Sequence, residues 1–231
     1  MGVEREVLIS LLKLTKEGPA EIEDLTSDSR VPSQLLPEAL MTSLQQGIVE
    51  VDGGSVSAGP EQRLRGAVRA VELGADIERV CKLLTWTEFE DISVLAFEAS
   101  GYKVKKHFRF SRSGRRWEID VLAMKRPIVA CADCKQWHRG WRGSASRKAT
   151  EQQIERTRIL AETAPAMLEK IDMKGWKHAD FLPMVLSLTP SAHKFHKGAP
   201  IVPVLQLRDF LQDMPAYIGK IKRFRASFPD A

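Results

Sequence analysis

Three strand-like runs follow one another almost without interruption in the middle of the chain: Tyr102–Ser111, Arg115–Met124 and Ile128–Lys135. Arg112-Ser113-Gly114 separates the first two, and Lys125-Arg126-Pro127 separates the second from the third. Turns this short join strands as hairpins and so fix which residues stand side by side. Helical patterns bracket the runs. Thr87–Ser100 precedes them, closed by Gly101, and a helix over about Ala149–Thr163 follows. Phe181–Leu188 and Ile201–Leu205 read as further strands, and Leu207–Met214 and Ala216–Phe224 as closing helices. The pattern predicts an α/β domain over residues 85–231, with a mixed sheet flanked by helices.

The chain before this domain is patterned differently. Residues 3–16 place Val3, Val7, Leu8, Leu11, Leu12 and Leu14 near helical spacing, and Gly18-Pro19 ends that helix. A short helix with Ile22 and Leu25 inward follows, then a third over Gln34–Gln46 with Pro37 in its first turn and Gly47 as its cap. Ile48–Val51 and Ser55–Ser57 flank Asp52-Gly53-Gly54 as a small hairpin. Three helices and a hairpin resemble a small winged helix-turn-helix module over residues 1–59. That resemblance implies a DNA reader with its third helix in the major groove. Ser33–Gln46 argues otherwise, because it has no Lys or Arg and Glu38 is its only charge. Phosphate contacts supply most nonspecific affinity. Protein contact, dimerisation or domain packing is therefore the favoured use of this module. Residues 60–84, after Gly59-Pro60, read as a helical linker.

Charge is spread as unevenly as pattern. The net charge is +5, yet residues 1–60 hold 4 Lys+Arg against 10 Asp+Glu, while residues 103–158 hold 16 against 5. Such a basic block suits a polyanion, most simply nucleic acid. Its members fall in two groups. Lys103, Lys105, Lys106, Arg109, Arg112, Arg115 and Arg116 line the first hairpin, and Trp137, Arg139, Trp141, Arg142, Arg147 and Lys148 follow the third strand. Arg and Lys suit phosphates; Trp either stacks on unpaired bases or packs beneath the loop. The apolar runs are too short to span a membrane, and the three cysteines cannot all pair, so no membrane partner and a reducing cytoplasm are expected.

The chemistry-bearing residues are Glu118-Ile119-Asp120 on one strand and Asp133-Cys134-Lys135 on the next. Alternation puts Asp133 and Lys135 on one face, and the hairpin-like connection brings Asp120 near them. Two carboxylates and an ammonium suit Mg²⁺ or Mn²⁺, which can activate water and offset charge on a phosphodiester. The bland alternative is a cross-strand Asp120–Lys135 ion pair.

Phe89-Glu90, Gly101-Tyr102, Glu118-Ile119-Asp120 and Asp133-Cys134-Lys135, in that order, resemble the PD-(D/E)xK nuclease superfamily, and within it Mrr-like restriction endonucleases and archaeal Holliday junction resolvases. The resemblance covers roughly residues 86–210; Ile119 stands where the name-giving proline would be. It implies a restriction-endonuclease-like fold and a metal-dependent DNA endonuclease, with structure-specific cleavage within its range. Restriction and DNA repair both fit such an enzyme. It further implies Asp120 and Asp133 as metal ligands, Lys135 as the catalytic lysine, and Glu90 holding a metal-bound water or a second metal. Gln153 loosely matches a polar helix position of the superfamily, and paired sites make a homodimer plausible. The competing class is a catalytically silent, nuclease-like DNA-binding or transcription-associated protein.

Several assignments stay open at this level. Thr87-Glu88-Phe89-Glu90 also fits a capping box, and Glu88 lies nearer than Glu90 to the apolar stripe of Phe89, Ile92, Ala96 and Ala99. Glu118 either joins the site or neutralises Arg116. Cys131 and Cys134 fall on opposite strand faces, which argues against chelation. His138 would be a third ligand only in principle, and His193 and His196 receive no role.

Overall fold

Glycine and proline punctuation decides where the elements break, and the computed structural model follows it closely. It describes residues 2–135, 144–188 and 193–228. The chain forms two compact units, Met1–Glu88 and Phe89–Ala231.

In the first unit, α1 (Gly2–Leu14), β1 (Ala20–Glu21), α2 (Ile22–Ser29) and α3 (Leu36–Gln45) precede the hairpin β2 (Glu50–Asp52) and β3 (Ser55–Ser57). β3 pairs with both β2 and β1, giving a three-stranded antiparallel sheet. α4 (Pro60–Glu72) and α5 (Ile77–Cys81) follow. Residues 60–84 lie within the first unit, which runs to Glu88. The reason is an amphipathic α4, which buries Leu64, Gly66, Ala67 and Ala70. A Cβ on Gly66 would stand 3.1 Å from Ile48 Cγ2, so the missing side chain sets that approach.

A buried ion pair ties this unit together. Arg63 Nε donates to Glu88 Oε1 at 2.5 Å; its Nη atoms donate to Leu12 O, Thr15 Oγ1 and Leu83 O. Glu88 also accepts from Thr85 N at 2.7 Å, while Glu88 N donates to Thr85 Oγ1 at 3.2 Å. The capping box therefore runs from Thr85 to Glu88, not from Thr87 to Glu90.

α6 (Trp86–Ala99) leads into the second unit. There β4 (Lys103–Arg112), β5 (Arg115–Lys125) and β6 (Ile128–Lys135) form antiparallel neighbours, as the short turns require. α7 (Ser144–Thr163) and α8 (Leu168–Ile171) precede β7 (His178–Ser187), which runs parallel to β6. β8 (Phe195–His196), β9 (Ala199–Pro203), α9 (Leu207–Tyr217) and β10 (Phe224–Ser227) complete the described chain. The result is a seven-stranded mixed sheet ordered β4-β5-β6-β7-β9-β8, with β10 beside the first half of β7. The helix expected over Ala216–Phe224 is not formed. A turn follows Tyr217, and Phe224, Ala226 and Phe228 alternate into the core while Arg225 grips Asp180 through two hydrogen bonds of 2.8 and 2.7 Å.

The sheet is irregular at one point, between Ile119 and Leu122. Phe108, Phe110, Ile119, Leu122 and Met124 join one core with Ile159 and Leu160 of α7. Strict alternation cannot send both Ile119 and Leu122, three apart, to the same face. The phase slips between them. The ladder pairs Lys106 with Val121 and Phe108 with Ile119, leaving His107 facing Asp120 without a bridge. His107 takes a left-handed φ of 48°, which a non-glycine residue adopts only when its surroundings hold it there.

Candidate active site

The phase slip delivers Asp120 to the point where β5 and β6 part. The β5–β6 ladder ends at Val121–Ala132; continued by one residue, it sets Asp120 opposite Asp133. Asp120 Oδ2 accepts the Cys134 N–H at 2.8 Å, which takes the place of a ladder bond. Asp133 is closed from both sides by cations. Lys135 Nζ lies 3.0 Å from its Oδ2, and Arg156 Nη1 donates to its Oδ1 at 2.6 Å. The Asp133 side chain is 2% exposed, whereas those of Lys135 and Arg156 are each 28% exposed. Solvent therefore reaches this corner across the two cations. Lys135 pairs with Asp133, its neighbour on the same face, not with Asp120 as the cross-strand alternative has it.

Burial, then the like charge of Asp133, pushes the Asp120 carboxyl up to about 6, against the counter-effects of the Cys134 N–H, Lys135 and Arg156. A pair of carboxylates held this close is a place where a divalent cation relieves repulsion. Mg²⁺ is commonly held by one or two carboxylates with water and substrate oxygens completing its shell, so Asp120 and Asp133 fit that ion. They do not form a larger protein cage: among the described residues no three acidic, histidine or cysteine side chains gather closely enough to hold a metal.

The absence of such a group bears on Glu90, expected as a third ligand. Its buried carboxylate meets His107 Nε2 at 3.3 Å, and His107 Nδ1 meets Glu118 Oε1 at 3.2 Å. Glu118 in turn accepts from Arg109 Nε at 2.7 Å, which holds its carboxyl below the ordinary range, with His107 adding to the effect. Glu118 thus pairs with Arg109 and His107, not with Arg116. Glu90 belongs to a chain Glu90–His107–Glu118–Arg109 at the same register as Asp120 and does not complete a three-carboxylate group. Glu88 is excluded from the corner because Arg63 and Thr85 use both its oxygens.

The faces of β6 are sorted as alternation predicts. Cys131 lies beside Thr157 of α7, while Cys134 lies beside Ser93 of α6, toward Glu90. Burial pushes both thiols up, and all three cysteines are free. Gln153 is fully buried and donates from Nε2 to Cys131 O at 2.7 Å, while its Oε1 has no partner among the described residues. It fastens α7 to β6 and so sets the height of Arg156, one turn on.

The basic residues divide by what they touch. Lys105 Nζ donates to Lys170 O, Arg109 is engaged by Glu118, and Arg115 stacks 3.9 Å over the Trp117 ring. Arg116 is exposed on β5, and Arg147 and Lys148 are exposed on the first turns of α7. Trp137, Arg139 and Arg142 lie outside the described residues, as do Trp141 and His138. Sequence patterns give no prior reason to select His107. For Arg156 a signal did exist: it stands three residues after Gln153, on the same helical face.

Fold and site together define a mixed α/β domain with a carboxylate–lysine corner where two central strands part. No family model matches the chain. An uncharacterized protein of Archaeoglobus fulgidus is 33% identical over 137 residues, which is 59% of this chain and 97% of that protein. The chain belongs to the family of that archaeal protein. Among solved structures, protein VC1899 from Vibrio cholerae is 14% identical with a TM-score of 0.38, and the restriction endonuclease FokI is 12% identical with a TM-score of 0.37. Both alignments cover 95% of this chain, which spans only 52% and 44% of those two proteins. Among the described residues no helix is long and apolar enough to cross a membrane.

Proposed function

We propose that the second unit is a Mg²⁺- or Mn²⁺-dependent DNA endonuclease that hydrolyses phosphodiester bonds. The observation that carries this reading is the convergence of Asp120 and Asp133 beside Lys135, on the most basic stretch of the chain. Asp120 and Asp133 would hold the cation, which supplies an acidified water and offsets charge on the phosphate. Lys135 donates a hydrogen bond to a phosphate oxygen or orients the attacking water, and Arg156 keeps Asp133 in place from α7. Glu90 acts through His107, fixing the strand backbone at the register that presents Asp120. Arg115, Arg116, Arg147 and Lys148 contact the DNA backbone, as do Lys105 and Arg109, and the basic, Trp-bearing stretch of sequence assigns Trp137, Arg139 and Arg142 to the same task.

The first unit is read as a winged helix used for protein contact. α3 leaves Met41 and Leu44 exposed and carries no Lys or Arg. Pairing of two such chains would place two sites on one DNA molecule.

Cleavage of linear, branched and flap DNA with Mg²⁺ or Mn²⁺ tests the proposal. Asp120→Ala and Lys135→Ala should each slow cleavage by about 10²-fold or more. Equal rates in both variants and the parent protein would overturn it. One observation favours a binding-only role: Lys135 and Arg156 already satisfy both Asp133 oxygens. Calorimetric titration separates the two readings, because a protein that binds DNA but takes up neither cation is not this nuclease.

A further inference from the structure

A second cationic feature lies at the other end of β6. A cleft of about 460 Å³ is lined by Ser100, Tyr102, Lys125, Arg126, Arg208 and Gln212, over an apolar floor that includes Leu211 and Met214. Its lining has three cations and no carboxylate. Ile128 at its rim and Lys135 at the proposed nuclease corner are seven residues apart on β6, about 23 Å at 3.3 Å per residue. The two places are therefore separate.

The cations are not equally committed. Lys125 Nζ donates to Ser100 O at 2.9 Å and lies 5.5 Å from the Tyr102 ring centroid, so it is anchored in the wall. Arg126 and Arg208 are exposed and have no hydrogen-bonding or ionic partner among the described residues. By contrast, Arg109, Arg112, Arg156, Arg158 and Arg225 of this unit each face a carboxylate. Two open guanidinium groups beside a fixed ammonium suit a doubly charged oxyanion, which accepts paired N–H donors. The apolar floor and the volume suit a small organic body attached to it.

We infer that this cleft binds a small organic phosphate, a phosphomonoester whose charge meets Arg126, Arg208 and Lys125 and whose apolar part rests on Leu211 and Met214. Isothermal calorimetry on the full chain tests this with phenyl phosphate, inorganic phosphate and benzoate as probes. Phenyl phosphate should bind saturably and more tightly than the other two, since one lacks the apolar body and the other the second charge. Arg126→Ala and Arg208→Ala should each weaken it by about tenfold or more, with partial rescue in Arg126→Lys. Lys135→Ala should leave it unchanged. A 5′-phosphorylated oligonucleotide that displaces phenyl phosphate would identify a strand end as the source, and one that does not would identify a free small molecule. Absence of saturable binding, undiminished binding in both arginine variants, or loss in Lys135→Ala would overturn the inference. Both arginines are exposed, so unchanged thermal midpoints verify that the variants remain folded.

Discussion

Glu88 in the first unit and Asp133 in the second are both carboxylates buried against an arginine, and they differ in what the water sees. In the Arg63–Glu88 pair both side chains are 3% exposed, and backbone carbonyls satisfy the rest of the guanidinium. At Asp133 the acid is as deeply buried, but its two cations stand partly in solvent. The first arrangement is closed and can only hold parts of the fold together. The second keeps donors facing outward, where an anion can reach them. Burial of a charge alone does not distinguish a lock from a site; the exposure of its partner does.

Breaking the lock should have the largest effect. Arg63→Ala leaves Glu88 buried without its counterion and should lower stability by about 3–5 kcal/mol, read as a fall in the urea midpoint. Lys135→Ala should barely shift that midpoint, yet lower DNA cleavage by about 10²-fold, or about 2.7 kcal/mol in activation energy. If both variants lose stability alike, partner exposure does not separate a lock from a site.

Asp120 sharpens the contrast through pH. Its carboxyl is raised from 3.8 to about 6, so the folded chain binds a proton there more tightly than the unfolded chain does. Without a divalent cation, stability should fall as pH rises from about 4 to 6, by about 1–2 kcal/mol after allowance for screening, and then level off. Asp120→Asn should remove that slope in pH-dependent unfolding. The smallest effect belongs to Met41→Ser on the exposed face of α3, which should stay within about 0.5 kcal/mol of the parent protein. On the protein-contact reading, DNA affinity by fluorescence anisotropy also stays unchanged in that variant.

Much of the second unit was legible from residue order. The hairpins over 102–135, the strand partners Asp120 and Asp133, and the opposite facing of Cys131 and Cys134 all follow from alternation and short turns. What alternation cannot show is its own failure. The slip between Ile119 and Leu122 depends on how α7 packs against the sheet; it changes which face the side chains take, while the turn that pairs Arg112 with Arg115 sets His107 opposite Asp120. β10 hides for another reason. Phe224-Arg225-Ala226-Ser227-Phe228 alternates cleanly, but so short a run after a turn gains meaning only from β7 beside it. Glu88 and Glu90 could not be separated from sequence because the discriminating partner, Arg63, is twenty-five residues away from Glu88.

The slip at His107 and Asp120 also says something about what a more regular protein would be. Deleting those two residues together would restore unbroken alternation along β4 and β5, sending Phe108, Ile119 and Leu122 to their present face without a left-handed residue. The tidier sheet would gain an uninterrupted ladder and lose the carboxylate that β5 sets at the parting of the strands. The chain instead carries one extra residue in each strand, facing each other, so removing either alone would shift the β4–β5 register by one.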